Sequence, residues 1–336
     1  MRIVVYDIAA KKGGGGETIL KQYLEIAAKN PQKEWWFFVS IQDYQQYESD
    51  NIHIIFVDTA SSSTLKSYCA RKKYEVHRLK TALKDINPDE VISLQNMVVP
   101  GVKCKQTVYL HQSFQFSPVK YSFLRKNERS LAFRQRIICN IIKLRLKKAD
   151  KVIVQTQWMK KAVSKWAHYP DDHIVVEMPT ITLPRVTSKR EKSNNVFFYP
   201  ANAYLNKNHE VLIQACRILK EKGYTDFTVQ FTLQPDANEL SKKLFCEAEE
   251  FSLPIEFVGH LSKEELVVKY QSEIMLFPSY IETFGLPLLE SKSVGGKIIA
   301  SNLPFSHEIL DDYDYADFVD WNDAEGWAEA IHNSLN

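Results

Sequence analysis

Short apolar runs alternate with amphipathic stretches along almost the whole chain, and that rhythm restricts the fold more than any other feature. Residues 3–6, 36–40, 53–57, 90–94, 107–110 and 151–154 read as strands, with helical periodicity over 17–29, 64–86, 129–148 and 158–167. Near-continuous apolar strands are the mark of parallel strands covered by helices on both faces. Residues 178–195 break the rhythm: they are polar, hold Pro179 and Pro184, and contain no apolar run. Such a stretch reads as a linker. The alternation then restarts, with strands at 196–199, 227–233, 255–258, 274–277 and 298–300 and helices at 208–222, 237–250, 263–271, 285–294 and 323–335. A chain of 336 residues has room for two domains of about 100–200 residues. The expectation is an α/β fold of two Rossmann-like doubly wound domains, residues 1–178 and 196–336, joined by 179–195 and facing across a cleft. Ligands in open α/β sheets sit at the carboxyl ends of the strands, so chemistry is expected there.

Composition removes several function classes. The 43 Lys and Arg against 41 Asp and Glu leave a net charge of +2, which gives no argument for nucleic-acid binding. The five Cys are widely spaced with no Cys-x-x-Cys, and the nine His form no His-x-x-x-His. A disulfide framework and a metal site are therefore not expected, and a reducing compartment is. No run approaches the ~18 apolar residues of a membrane span, and the N-terminus lacks the apolar core of a signal peptide. A cytoplasmic protein, peripheral on the inner face of a membrane, fits these features.

Four of the 11 glycines, Gly13–Gly16, stand between the first strand and the first helix. A glycine backbone approaches a ligand closely, and a helix start offers free N–H groups. A Walker A loop is excluded, because Glu17 follows Gly16 where a lysine is required. A dinucleotide fingerprint lacks its last position, where Thr18 stands. A diphosphate or sugar site at Gly14, Gly15 and Gly16 and a plain flexible turn both remain open.

The most specific segment is Phe277–Glu290, which reads FPSYIETFGLPLLE. It follows a strand and opens a helix, with Pro287 in the first turn, where its missing N–H costs nothing. The amides of Phe284, Gly285 and Leu286 are then free for an anion. This segment resembles the Glu-x7-Glu signature of retaining glycosyltransferases of the GT-B fold, family 4 (glycosyl transferases group 1). The resemblance is dense over about 196–310 and continues through Gly295–Asn302 and His307–Ile309. It implies that Glu290 binds the ribose of a nucleotide, that Glu282 meets the donor sugar, and that Phe284, Gly285 and Leu286 hold the diphosphate.

Two further elements resemble the same family. Tyr199–His209 looks like its donor-phosphate loop, with Lys207 neutralising the leaving diphosphate. Asn202 stands in that loop where many members carry arginine, so one positive charge is missing there. His111, at a strand end in VYLHQSF, is similar to a donor-contacting histidine, with Gln112 where an aspartate is common. The resemblance implies a hexosyltransferase-type enzyme without cofactor or metal. Its donor would be a nucleotide-diphosphate sugar, UDP-linked, and its acceptor a glycan or lipid-linked sugar. The first domain would bind the acceptor and the second the nucleotide sugar. The setting would be bacterial-type surface polysaccharide or glycolipid assembly. Sugar-nucleotide epimerase activity on the same fold, a non-catalytic partner of another transferase, and an NAD-dependent oxidoreductase are the rivals.

Residues 120–148 hold ten basic residues and only one acid, Glu128, interleaved with apolar side chains. A stretch of this kind suits contact with an anionic membrane. A second basic cluster runs through Arg71, Lys72, Lys73, Arg78, Lys80 and Lys84.

Overall fold

The structure, a computed structural model, describes residues 1–10, 12, 15–58, 73–185, 193 and 195–335. The chain divides into two compact units, Met1–Pro179 and Thr180–Asn336.

The first unit is built on seven parallel strands: β1 Arg2–Asp7, β2 Glu34–Val39, β3 Ile52–Phe56, β4 Glu90–Ser93, β5 Lys105–Tyr109, β6 Lys151–Val154 and β7 Ile174–Val176. Their order across the sheet is β3-β2-β1-β4-β5-β6-β7. Strand β1 shows why the sheet is covered on both sides. Ile3 and Val5 pack with Ile19, Leu20, Tyr23 and Leu24 of the helix Gly15–Ala28. Val4 and Tyr6 point the other way, onto Leu79, Leu83 and Ile86. Side chains along a strand alternate between faces, so an uninterrupted apolar run needs two apolar neighbours.

The second unit repeats the plan with six parallel strands: β8 Val196–Tyr199, β9 Thr228–Phe231, β10 Ile255–Phe257, β11 Ile274–Phe277, β12 Ile298–Ser301 and β13 Ala316–Val319. The order is β10-β9-β8-β11-β12-β13. Phe197, Phe198 and Tyr199 of β8 and all of β11 are buried. Strand order reverses beside β1 in the first sheet, between β1 and β4, and beside β8 in the second, between β8 and β11. These switch points are where the loops after neighbouring strands diverge and leave a crevice.

The structure adds elements that the apolar rhythm does not mark. Strands β7 and β13 lie at sheet edges; β7 is apolar but only three residues long, Ile174–Val176, and β13 carries the exposed Asp317 between partly buried neighbours, so neither gives a long apolar run. Pro304 starts a short helix, Pro304–Leu310. The helix expected over 64–86 is described from residue 73 and contains a π-turn at Glu75–Leu79 before Lys80–Ile86; residues 64–72 lie outside the described residues. The long helix expected over 129–148 runs as Arg129–Phe133, a π-turn Arg134–Ile138, and Cys139–Leu146. Of the expected linker, residues 186–192 and 194 lie outside the described residues. Among those described, no helix is long and apolar enough to cross a membrane.

Candidate active site

At the switch point of the second unit, two loops distant in sequence are bound together. One follows β8 and ends at the helix His209–Glu221; the other follows β11 and ends at the helix Leu286–Ser293. The buried Tyr199 hydroxyl donates to the Lys207 carbonyl at 2.8 Å and shares a second hydrogen bond with Ser279 Oγ, also at 2.8 Å. The Tyr280 N–H donates to the Asn206 carbonyl at 3.0 Å. Asn208 Nδ2 donates to the carbonyls of Pro278 and Trp321, at 3.1 and 2.7 Å. Asn208 holds φ +59°, the left-handed conformation that ends the turn Leu205–Lys207. Asparagine tolerates that conformation better than most residues.

These ties bring Lys207 to Glu282. The Lys207 ammonium donates to Glu282 Oε1 at 2.5 Å, and the two side chains are 21% and 15% exposed. The Lys207 Nζ also lies 5.9 Å from the centre of the Phe277 ring. An ammonium has three donors, and Glu282 takes one of them. His209, two residues on, is buried between Tyr199 and Phe231. Burial, with Lys207 nearby adding to it, pushes its pKa down to about 3. It is a neutral ring at pH 7, so Lys207 alone of this pair carries positive charge.

The helix start beside Glu282 is shaped by glycine. Gly285 has φ +91°, and a Cβ there would stand 3.1 Å from Leu288 Cδ1. Phe284, Gly285 and Leu286 donate to no backbone carbonyl among the described residues. Three amides are thus gathered at the positive end of the helix, the arrangement that favours an anion. Inside that helix, Glu290 Oε2 accepts from the Tyr270 hydroxyl at 3.0 Å. Asn202, in the loop after β8, is exposed, and its carbonyl accepts from the Tyr204 N–H.

The remaining candidates belong to the first unit. His111 follows β5, and its N–H donates to Asn96 Oδ1 at 2.9 Å. Asn96 is itself left-handed, with φ +64°. Among the described residues, His111 Nδ1 is buried without a partner, and so is Gln95 Nε2 after the neighbouring strand β4. Burial lowers the His111 pKa to about 4, so its ring is a neutral hydrogen-bonding group at pH 7. Gly15 and Gly16 begin the first helix, and a Cβ at either would meet nothing closer than Ala10, at 4.0 Å from Gly16. Gly14 lies outside the described residues. The buried Glu17 carboxylate fills the first turn of that helix, accepting from Tyr44 Oη at 3.3 Å and pairing with Lys21 at 3.0 Å. A carboxylate of the chain itself therefore takes up the favourable field at that helix start.

Lys207, Glu282, the three amides and Glu290 thus gather around one switch point, while His111, Gly15 and Gly16 sit at strand ends of the other sheet. Tyr199, Ser279, Asn206, Asn208 and Tyr270 are the residues that sequence reasoning missed. Among the described residues, no three His, Cys, Asp or Glu are grouped to hold a metal ion.

Residues 182–336 match the profile of the family described as glycosyl transferases group 1, so the second unit carries a domain of that kind. The O-antigen chain mannosyltransferase RfbU of Salmonella typhimurium strain LT2 is 23% identical over 201 residues, covering 57% of this chain and 53% of that protein. The chain spans about half of that relative's length. Among solved structures, sucrose-phosphate synthase from Thermosynechococcus elongatus superposes with a TM-score of 0.74 at 17% identity, covering 99% of this chain and 89% of that one. Anabaena HepE, crystallised with UDP and glucose, gives a TM-score of 0.70 at 13% identity, covering 100% and 90%. At these identities the likeness establishes the fold: two parallel-sheet Rossmann-like units of the GT-B type.

Proposed function

We propose that this chain is a retaining glycosyltransferase of family 4 that moves a sugar from a nucleotide-diphosphate donor to an acceptor hydroxyl. The observation that carries the reading is the Lys207–Glu282 pair beside the open amides of Phe284, Gly285 and Leu286. Sugar transfer breaks the bond from the anomeric carbon to the diphosphate and forms one to the acceptor oxygen, whose hydroxyl proton leaves with the departing diphosphate. The departing diphosphate gains negative charge while the sugar becomes oxocarbenium-like. Preorganised donors at the developing charge lower that barrier most. Lys207 and the three amides supply them on the diphosphate side without a metal. Glu282, held by Lys207, faces the sugar and orients it or stabilises its cationic centre. Glu290, fixed by Tyr270, receives the ribose hydroxyls.

The group 1 domain and HepE's complex with UDP and glucose support a UDP-sugar as donor. RfbU supports a hexose as the transferred group and surface polysaccharide or glycolipid assembly as the setting. The first unit, with His111, would hold the acceptor and touch the donor sugar. A second reading, a non-catalytic partner of another transferase, draws on Asn202, which leaves the β8 loop without a second cation.

A thermal-shift panel with chelator present tests this reading, using UDP, GDP, dTDP, ADP, their sugar conjugates and NAD(H). A ligand at ~100 times its dissociation constant stabilises the native state by about 2.7 kcal/mol, a shift of several degrees. The expected result is a shift with UDP and UDP-sugars, followed by transfer with retained anomeric configuration. A flat panel favours the non-catalytic partner, and a response to NAD(H) alone overturns the transferase reading.

A further inference from the structure

The chain's charge is divided unevenly. Residues 120–148 carry ten basic side chains and one acid, while the other residues carry 33 basic against 40 acidic. Nearly neutral overall, the protein concentrates its positive charge on this stretch of the first unit. Its single acid is already engaged: Glu128 pairs with Arg125 at 2.9 Å and accepts from the Ser122 N–H at 2.8 Å. Lys120, Lys126, Lys147 and Lys148 are exposed and form no ion pair among the described residues. That arrangement does not balance charge within the fold.

Apolar side chains stand among these cations and face outward. Leu124 is 90% exposed and Leu144 is 68% exposed, and Phe123, Phe133 and Ile137 are exposed as well. Single exposed apolar residues are ordinary, but a group of them rimmed by charge marks a contact surface. Phe133, Ile137 and Leu144 recur at helical spacing on one side of the stretch Arg129–Leu146. Ala132, Cys139, Ile142 and Leu146 fill the other side and are buried. The helix thus has two apolar stripes, and only one is used by the core.

The loop carrying Phe123 and Leu124 is fixed against this helix. Gln135 Nε2 donates to the carbonyls of Val119 and Phe114, and its Oε1 accepts from the Tyr121 N–H. Arg129 Nε donates to the Phe123 carbonyl at 3.1 Å, and the Arg136 guanidinium lies 5.6 Å from the centre of the Phe123 ring. Gln135 and Arg136 lie in the π-turn Arg134–Ile138, a distortion that often marks functional segments. The apolar tip is therefore presented by built contacts rather than left loose.

We propose that this face docks on an anionic lipid bilayer, with Phe123, Leu124, Phe133, Ile137 and Leu144 entering the headgroup boundary and the lysines and arginines contacting lipid phosphates. Charge complementarity selects the occupant: cations interleaved with outward apolar groups match a surface that is negative outside and apolar beneath. The inference rests on the first unit alone and stands whether or not the chain transfers a sugar.

Sedimentation of the full chain with vesicles tests it. Phosphatidylcholine vesicles containing phosphatidylglycerol should carry the protein down, and pure phosphatidylcholine vesicles should not. Added salt should weaken binding. Leu124→Ser should reduce partition by about tenfold, without a change in melting temperature, because Leu124 touches little of the fold. Lys126→Gln and Lys147→Gln should each reduce it about fivefold, the equivalent of about 1 kcal/mol per basic residue at the surface. Equal binding to neutral and anionic vesicles overturns the proposal, as does no binding to either. It also fails if Leu124→Ser sediments like wild type, or if the same variants instead abolish duplex RNA binding or self-association while leaving sedimentation intact.

Discussion

The Tyr199 hydroxyl lies 2.8 Å from Ser279 Oγ, joining residues 80 positions apart and so fastening the loop that carries Lys207 to the loop that carries Glu282. The same hydroxyl donates to the Lys207 carbonyl. Replacing Tyr199 by Phe keeps the buried ring and leaves Ser279 and the Lys207 carbonyl each short of a partner. An unmade buried hydrogen bond costs about 1–3 kcal/mol. The expected outcome is a lower melting temperature together with a fall in kcat that exceeds any loss of nucleotide affinity. Equal loss in both kinetic constants would point to general loosening instead.

Lys207→Ala removes the ammonium paired with Glu282. Most of each side chain is buried, so leaving the Glu282 carboxylate without its cation should cost about 1–3 kcal/mol of stability. Transfer should also fall, by about 10²–10³-fold in kcat, as for loss of one preorganised donor to a developing anion. A single-turnover assay with saturating donor checks this, and wild-type turnover removes Lys207 from the mechanism.

Glu290 and Tyr270 should separate binding from chemistry. Loss of a hydrogen bond to a charged group costs about 1.5–3 kcal/mol, so Glu290→Ala should weaken nucleotide binding by about 10–100-fold. Tyr270→Phe leaves the carboxylate in place but unsteadied at Oε2, and should give a loss in the same direction but smaller. Calorimetric titration with the nucleotide reads both. Unchanged affinity in Glu290→Ala would overturn the ribose assignment.

Two histidines, His209 buried and His111 partly buried, contribute to the acid side of the stability profile. Burial holds the pKa of His111 at about 4 and that of His209 at about 3, both below the ordinary value near 6.5. The unfolded chain takes up these protons first as pH falls. Stability contributed by the neutral rings is therefore present above about pH 6.5 and lost as pH drops toward the folded values. Urea unfolding at a series of pH values should show this slope, and it should be shallower in His209→Phe, which keeps an apolar ring between Tyr199 and Phe231. The kcat profile should show no ionisation of His111 between about pH 5 and 8.

Part of this site was legible because its chemistry is local in sequence. Glu282, Gly285, Pro287 and Glu290 lie within nine residues, and the turn of a strand into a helix fixes their relation. Lys207 was legible only by likeness to a family loop. That it pairs with Glu282 follows from strand order: β8 and β11 are neighbours although β9 and β10 lie between them in sequence. Tyr199 and Ser279 gave no signal, since a tyrosine ending an apolar strand reads as core until the opposing loop is placed. The first glycine run shows the opposite case. Its sequence suggests a close approach to an anion, yet Glu17 stands buried in the helix turn that would receive one.

Gly285→Ala tests whether the helix start itself binds the diphosphate. The φ of +91° is open to glycine and strained for alanine, and the new Cβ would press on Leu288 Cδ1 at 3.1 Å. Relief of that strain must turn the peptide planes around Phe284, Gly285 and Leu286, and so misdirect their N–H groups. Gly295→Ala supplies the control: Gly295 has φ +77°, but a Cβ there meets nothing within 4 Å, and it lies past the C-terminus of the same helix. Both variants should lose stability, by about 1 kcal/mol or more. Only Gly285→Ala should weaken binding of the nucleoside diphosphate while leaving the affinity for the free nucleoside near wild type, because the nucleoside has no phosphate to meet those amides. Equal loss of diphosphate affinity in the two variants would mean that the helix start holds no phosphate and that Lys207 carries the charge alone.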